Sequence, residues 1–507
     1  MKRLVTFIAL AFLTVSCNAL QPTPQPRATN TLRIPDDVPT PPTCGNKVCD
    51  PPWENPWTCP DDCPKPTSAP TTTPPTAIPK PALRRPANLQ IGLNFIRVYF
   101  SNRPNELDTT TPYLQPDAIF RDFKDLGVHA YRQFVKADLL WDVVEPRDNQ
   151  WNFAQADAVI PHPDFEPIVT LFRLQYASPT PPWATSPQQF QKRIGVEATD
   201  YLEMVVKRYA PYVKYWELGN EMPFWRAADP SDQGKKPEQG EEKMPAAYPT
   251  DGFSPREQGV FLAQAAAIIR KNDPDAVILS PALPGLSDYD LNIWLPGVIA
   301  GGGKDWFDIV NYHFYGGWEQ FTMSRPKFQE QLKKLGLDSK PVWMTETGAT
   351  SSATLTLRTN YPNSTESQAA DIFRRIVQAW GNGDAFVAWH TYIATSDNTS
   401  NWRAYGIRSE KGNAQPAYYA FKLLTSELVP FARVEKISAD AKGVNAYKIT
   451  TQAGAVKYVA WGRGNYTIPP GVTQTTSVIP KADGNYAWQP TQAGKVVALS
   501  ASPVLFK

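Results

Sequence analysis

The sequence predicts a (β/α)8 barrel, and three observations carry that prediction. Eight short apolar runs follow one another between residues 88 and 425. Amphipathic stretches of helical period separate them, as strand–helix repeats require. The region is also long enough for a barrel of this class with inserted loops. A doubly wound sheet uses similar pieces, but a count of eight favours closure.

The strands fall at IGLNF (91–95), HAYRQF (129–134), EPIVTL (166–171), VKYWEL (213–218), AVILSPAL (276–283), DIVNYHFY (308–315), PVWMTE (341–346) and FVAWHTYI (386–393). Between them PDAIFRDFKDLG, EATDYLEMVVKRYA, REQGVFLAQAAAIIRKN, PKFQEQLKKLG and ESQAADIFRRIVQAWG read as helices. Beyond residue 425 the texture changes. Runs such as VNAYKIT, VKYVAWG and KVVALS are broken by Gly, Asn and Pro, which predicts a small β-sandwich-like domain over 426–507.

The N-terminal part is not barrel. Met1-Lys2-Arg3 is basic, and Leu4 to Val15 is an apolar stretch of export-signal length, too short to span a bilayer as a mature helix. It runs into Leu13-Thr14-Val15-Ser16-Cys17, which resembles the lipobox of bacterial lipoproteins, with Thr14 where Leu is usual. The resemblance implies a signal over 1–17 and a lipid anchor on Cys17; simple secretion is the alternative, and both place the mature chain outside the cytoplasm. Residues 18–43 and 64–86 are rich in Pro, Thr, Ser and Ala and read as extended spacers.

Between the spacers, over 44–63, lies CGNKVCDPPWENPWTCPDDC, with Cys44, Cys49, Cys59 and Cys63. In an exported chain so short a segment calls for staples, and two disulfides are the simplest reading. Zinc on the thiolates, or calcium on Asp50, Glu54, Asp61 and Asp62, would serve the same end. No Cys follows Cys63, so the main fold uses none.

Lys and Arg number 51 against 49 Asp and Glu, a formal net charge of +2. That balance gives no electrostatic footprint for nucleic acid or an anionic membrane. The chain is rich in aromatics, with 16 Trp and 21 Tyr, which suit either a large core or flat sugar-stacking faces.

In a barrel the reacting groups gather at the C-terminal ends of the strands. Glu221 stands just past the fourth strand in WELGNE, and Glu346 ends the seventh in WMTETG. Strands four and seven lie across the mouth from each other, so two acids distant in sequence share one cleft. Such a pair suits glycoside hydrolysis, in which one carboxyl protonates the leaving oxygen while the other attacks or activates water.

Those motifs resemble the clan A glycoside hydrolases, which include families 5 and 39. The likeness runs through all eight strands, with Trp141, Pro146 and Trp151 and the PPWA of the third loop, about two thirds of the chain. It implies that Glu221 is the acid/base, that Asn220 holds the sugar 2-hydroxyl and that Glu346 is the nucleophile of a retaining, double-displacement enzyme. It further implies that His313 and Tyr315 form a His-x-Tyr pair with the Tyr hydrogen-bonded to Glu346. Strand alternation puts Asn311, His313 and Tyr315 on one side of the sixth strand. Arg132 on the second strand would keep Glu346 ionised. Trp389 on the eighth would floor the subsite next to the scissile bond, and Trp225 with Phe224, at the base of the charged loop after Glu221, would stack on sugar. Each of His313, Tyr315, Arg132 and Trp389 has a competing reading as an ordinary core residue. Glu217 shares the parity of Glu221 but lies deeper, as the structural partner of a buried Arg.

The chemistry calls for no metal and no cofactor. The partner expected is a β-linked polysaccharide or oligosaccharide, with no nucleic acid. Two further readings stay open on the same barrel: a glycan-binding lipoprotein that has lost turnover, and a transglycosidase.

Overall fold

The computed structural model describes residues 89–97, 115–135, 139–172, 196–222, 254–352, 363–394 and 404–507. The export signal with Cys17, both spacers, the four-cysteine motif, the PPWA loop, Phe224 and Trp225 lie outside them.

Eight parallel strands form one sheet: β1 (Ile91–Arg97), β2 (Ala130–Val135), β3 (Glu166–Leu171), β4 (Tyr215–Leu218), β5 (Val277–Leu279), β6 (Val310–His313), β7 (Val342–Thr347) and β8 (Phe386–His390). Their order is β5-β4-β3-β2-β1-β8-β7-β6. Single parallel bridges at Leu279–Ile309 and Leu283–Tyr312 join the two outer strands and close the barrel. The expected (β/α)8 architecture is therefore the observed one. The fifth and sixth strands are shorter than their apolar runs, so Tyr315 lies beyond the end of β6.

Alternation along the strands splits the core in two. Ala130, Ile168, Tyr215, Leu279, Trp343, Phe386 and Ala388 fill the barrel axis. The residues between them, such as Trp216, Leu218, Met344, Val387 and Trp389, pack outward against the helices. Gly92 on β1 admits the Phe386 ring, because a Cβ there would stand 2.6 Å from it.

The helices follow from their sequences. Pro255–Asn272 opens with a capping box, in which Ser254 and Glu257 each receive the other's backbone N–H. Thr365–Gly381 is capped by Ser364 and is buried along almost its whole length. The reason is its neighbours: the barrel covers one side and a second sheet covers the other.

That second sheet takes β9 (Phe431–Ala439), β10 (Val444–Thr451), β11 (Val456–Gly462), β13 (Gln474–Ser477), β14 (Gln489–Pro490) and β16 (Val504–Phe506) in the order β14-β13-β16-β11-β10-β9. A separate pair joins β12 (Gly464–Thr467) to β15 (Val496–Leu499). Tyr447 and Trp461 of this all-β region stack on each other, and Trp461 meets Trp318 edge-on. Both belong to the same apolar core as the outer layer of the barrel. Among the described residues no helix is long and apolar enough to cross a membrane.

Candidate active site

At the C-terminal ends of the strands the axis turns from apolar to ionic. Glu217 of β4 and Arg132 of β2 are fully buried and paired, Arg132 Nε donating to Glu217 Oε2 at 2.5 Å and Nη2 to Oε1 at 3.0 Å. Thr170 and Asn311 also donate to Glu217, each at 2.7 Å. The carboxylate is thus satisfied from three further strands, as a buried charge must be. Glu217 has the place expected of it, below the mouth and paired with Arg132.

Arg132 reaches upward as well. Its Nη1 donates to Glu346 Oε1 at 2.6 Å and its Nη2 to Asn220 Oδ1 at 2.7 Å. One guanidinium therefore sets the positions of Glu217, Glu346 and Asn220. Arg suits the task, because its fork is planar and stays charged when buried.

Glu346 would face the wrong way in a regular strand, since Trp343 and Thr345 point inward and Glu346 would then point out. The register shows how it turns. Tyr312 pairs with Met344 and His313 with Glu346, so one step on β6 spans two on β7. Against β8, three steps of β7 match two between Met344–Val387 and Thr347–Trp389. β7 therefore carries an extra residue, a bulge that brings Thr345 and Glu346 to the inner side together. Tyr315 then donates to Glu346 Oε2 at 2.8 Å.

Glu221 reaches the mouth by a different device. β4 ends at Leu218; Gly219 has φ 102° and Glu221 itself has φ 49°. A left-handed backbone at a residue with a Cβ costs on the order of 1–3 kcal/mol, a cost that persists where surrounding structure holds it. His313 supplies part of that hold, with Nδ1 2.8 Å from Glu221 Oε1 and Nε2 3.2 Å from Thr345 Oγ1.

The two glutamates are equally buried, at 8% exposure each, but their surroundings differ. Burial raises the Glu221 carboxyl above the ordinary range and the neighbouring Glu346 pushes the same way, against the pull of Arg132, and burial prevails. For Glu346 burial acts in the same sense, yet Arg132, His390 and the Tyr315 hydroxyl oppose it, and the carboxyl is held well below the usual range. The geometry thus prepares one acid and one carboxylate side by side.

Glu221, His313 and Glu346 bring donor atoms within 4.8 Å of one another, close enough for one cation. Both Glu346 oxygens are already held, by Arg132 and by Tyr315, and the guanidinium sets a fixed positive charge there. That charge opposes a metal in the same place.

Trp389 lies away from the cleft that its strand-end position suggested. It is 0% exposed and packs in the outer apolar layer, so it does not floor the cleft. Alternation puts Phe386, Ala388 and His390 on the inner side of β8, and His390 takes the strand-end place. Its ring stands edge-on to Tyr315, centroids 6.0 Å apart, and also contacts Tyr405. Applying to β8 the alternation already used on the sixth strand would have found His390.

No protein-family model matches the sequence, and no curated protein matches it. Solved structures do match. A family 39 glycoside hydrolase from the gut symbiont Bacteroides cellulosilyticus WH2 is 18% identical with a TM-score of 0.56, over 83% of this chain and 80% of its own. An alpha-L-arabinofuranosidase from Thermotoga maritima gives 12% and 0.52, over 85% and 98%. A glucosidase from Croceicoccus marinus gives 13% and 0.51, over 82% and 98%. At such identities the likeness is one of fold.

Proposed function

We propose that this chain is a retaining glycoside hydrolase of the clan A kind, acting on a β-linked polysaccharide or oligosaccharide outside the cytoplasm. The observation that carries the reading is that Glu221 and Glu346 meet at the strand ends with one oxygen of each within 4.8 Å, in surroundings that raise the first carboxyl and depress the second. Retaining enzymes hold their carboxyls about 5–5.5 Å apart, whereas inverting ones leave about 6.5–9.5 Å for a water. The solved structures of the same fold named above are a family 39 glycoside hydrolase, an arabinofuranosidase and a glucosidase, which accords with the reading.

In this reading Glu346 attacks the anomeric carbon while Glu221 passes its proton to the leaving oxygen. The C–O bond breaks and a glycosyl ester forms on Glu346. Glu221, now ionised, takes a proton from water, whose oxygen displaces Glu346 and releases the sugar. Arg132 and Tyr315 stabilise Glu346 each time it returns as a carboxylate. Asn220, whose Oδ1 accepts from Arg132, would hold the sugar 2-hydroxyl.

The test is a reducing-end assay over β-glucans, xylans, mannans, galactans and bacterial exopolysaccharides, with Glu346→Gln alongside. Release by the wild type alone supports hydrolysis and names the substrate; binding without release favours a glycan-binding protein. Transfer to an added sugar in place of water would mark a transglycosidase. Anchoring through Cys17 is proposed with it. Metabolic labelling with a fatty acid should mark the wild type and not Cys17→Ser, and equal labelling of both would refute the anchor.

A further inference from the structure

The hydrogen bonds behind the mouth run in one direction, and that direction fixes a proton. Glu217 is an acceptor, with Arg132 and Thr170 donating to it. Asn311 must therefore turn its Nδ2 to Glu217 Oε1, at 2.7 Å, which leaves Oδ1 facing Thr345 Oγ1 at 2.8 Å. An amide oxygen only accepts, so the Thr345 hydroxyl donates to it. That uses the single proton Thr345 has. Its oxygen meets His313 Nε2 at 3.2 Å with lone pairs alone, so Nε2 carries hydrogen. In a neutral ring Nδ1 is then an acceptor, and it faces Glu221 Oε1 at 2.8 Å.

We propose that Thr345 is a positioning residue that locks His313 in its Nε2–H tautomer and thereby keeps the shared proton on Glu221. An accepting Nδ1 gives nothing to a Glu221 carboxylate but takes a hydrogen bond from the protonated carboxyl. Glu217, Asn311, Thr345 and His313 are all 0% exposed, so solvent offers them no substitute partner. The β7 bulge turns Thr345 inward, and Asn94 Nδ2 donates to its carbonyl at 2.7 Å, which fixes its backbone. The residue beside the expected nucleophile thus sets the state of the expected acid.

The other groups around this pair are Glu346 of β7, Arg132 of β2, Glu217 of β4, Tyr315 after β6 and His390 of β8. Glu346 Oε2 lies 3.5 Å from His313 Nδ1 and draws a proton toward it. Arg132 and Tyr315 already donate to Glu346, which weakens that pull.

The tautomer is read directly by nitrogen NMR of the whole protein carrying isotope-labelled histidine. With four His in the chain, His313→Asn assigns the signal. The proposal expects a neutral Nε2–H ring at neutral pH in the wild type and in Thr345→Ser. An Nδ1–H ring or an imidazolium in the wild type overturns it, whether or not any sugar is cleaved.

Kinetics test the consequence, which rests on the proposed hydrolysis. Thr345→Val frees the ring to donate from Nδ1, lowers the Glu221 pKa and moves the alkaline limb of kcat/KM to lower pH. A displacement of about one unit is a tenfold loss at a fixed alkaline pH. Poor leaving groups should lose that activity, activated aryl glycosides should keep theirs, and Thr345→Ser should behave as wild type. If Thr345→Val does not fold, Asn311→Ala removes the Oδ1 that takes the Thr345 proton, which frees that hydroxyl to donate to Nε2 and should displace the limb in the same direction. An unmoved limb in a folded variant refutes the role. An Nε2–H ring in a protein that cleaves no panel member refutes the hydrolysis and leaves the tautomer standing.

Discussion

Glu221 and Glu346 are the same residue type at the same burial, and their neighbours alone give them different chemistry. On the proposed mechanism Glu346→Gln keeps the shape of the site but removes the attacking carboxylate, so turnover should fall by about three orders of magnitude or more in a protein that still folds. Substantial residual activity would remove Glu346 from the mechanism. Glu221→Ala should cripple substrates with poor leaving groups while sparing activated aryl glycosides in the first step, because only the former need the proton. Equal loss on both would contradict its assignment.

The pH profile follows from the same contrast. The proposed mechanism requires Glu221 protonated and Glu346 ionised, so kcat/KM should fall as pH rises through the raised Glu221 value and as pH drops through the depressed Glu346 value. Tyr315→Phe takes a donor from Glu346, raises its pKa and should carry the acid limb upward, with the alkaline limb nearly in place. A profile in which only the alkaline limb moved would mean that Tyr315 serves the other carboxyl.

At the scale of elements, strand ends and strand parity carried the site. Arg132, Glu217, Asn220, Glu221, His313, Tyr315 and Glu346 were legible because each stands at or near the end of an apolar run. The structure gathers all seven within one hydrogen-bonded network. What stayed hidden was irregularity. The β7 bulge has no mark in WMTETG, because a bulge is decided by pairing with both neighbours and not by local composition. Trp389 misled for a related reason: Trp at a strand end suggests sugar stacking, yet its parity sends it into the outer core.

The segment after β2 supplies a stability prediction. Glu145 is buried, accepts from Trp141 Nε1 at 2.7 Å and from the Asn149 N–H at 2.9 Å, and is pushed up to about 7, chiefly by burial. Between the ordinary glutamate range and that value the native state holds a proton that the unfolded chain has released. Stability should therefore fall as pH rises from about 4.5 to 7. Glu145→Gln keeps an acceptor for Trp141 and loses the titration, so its melting temperature should change less over that window. An identical slope in both proteins would place the titrating group elsewhere.

Over the whole molecule, the barrel and the C-terminal sheet share one core, with Tyr447 and Trp461 packed into it. Helix Thr365–Gly381 lies between them, and a Cβ at Gly381 would stand 2.3 Å from the Tyr447 ring. Overpacking of this kind costs about 1–3 kcal/mol. Gly381→Val should lower the melting temperature while kcat/KM per folded molecule stays near wild type, and full-length protein should melt in one transition. Two separate transitions would show that the sheet folds apart from the barrel. The composition shift near residue 425 announced a different kind of structure but not this shared core, because core membership depends on contacts distant in sequence.

In the proposed mechanism Glu346 forms a glycosyl ester while Glu221 serves as its acid and base. The most direct measurement is trapping. The wild type is incubated with activated 2-deoxy-2-fluoro-β-glycosides of glucose, xylose, mannose and galactose, digested and mapped by mass spectrometry. One added glycosyl group on the peptide containing WMTETG, absent from Glu346→Gln, is the predicted result. A label on any other residue, or hydrolysis with inversion at the anomeric carbon, would rule out Glu346 as the nucleophile of a retaining enzyme.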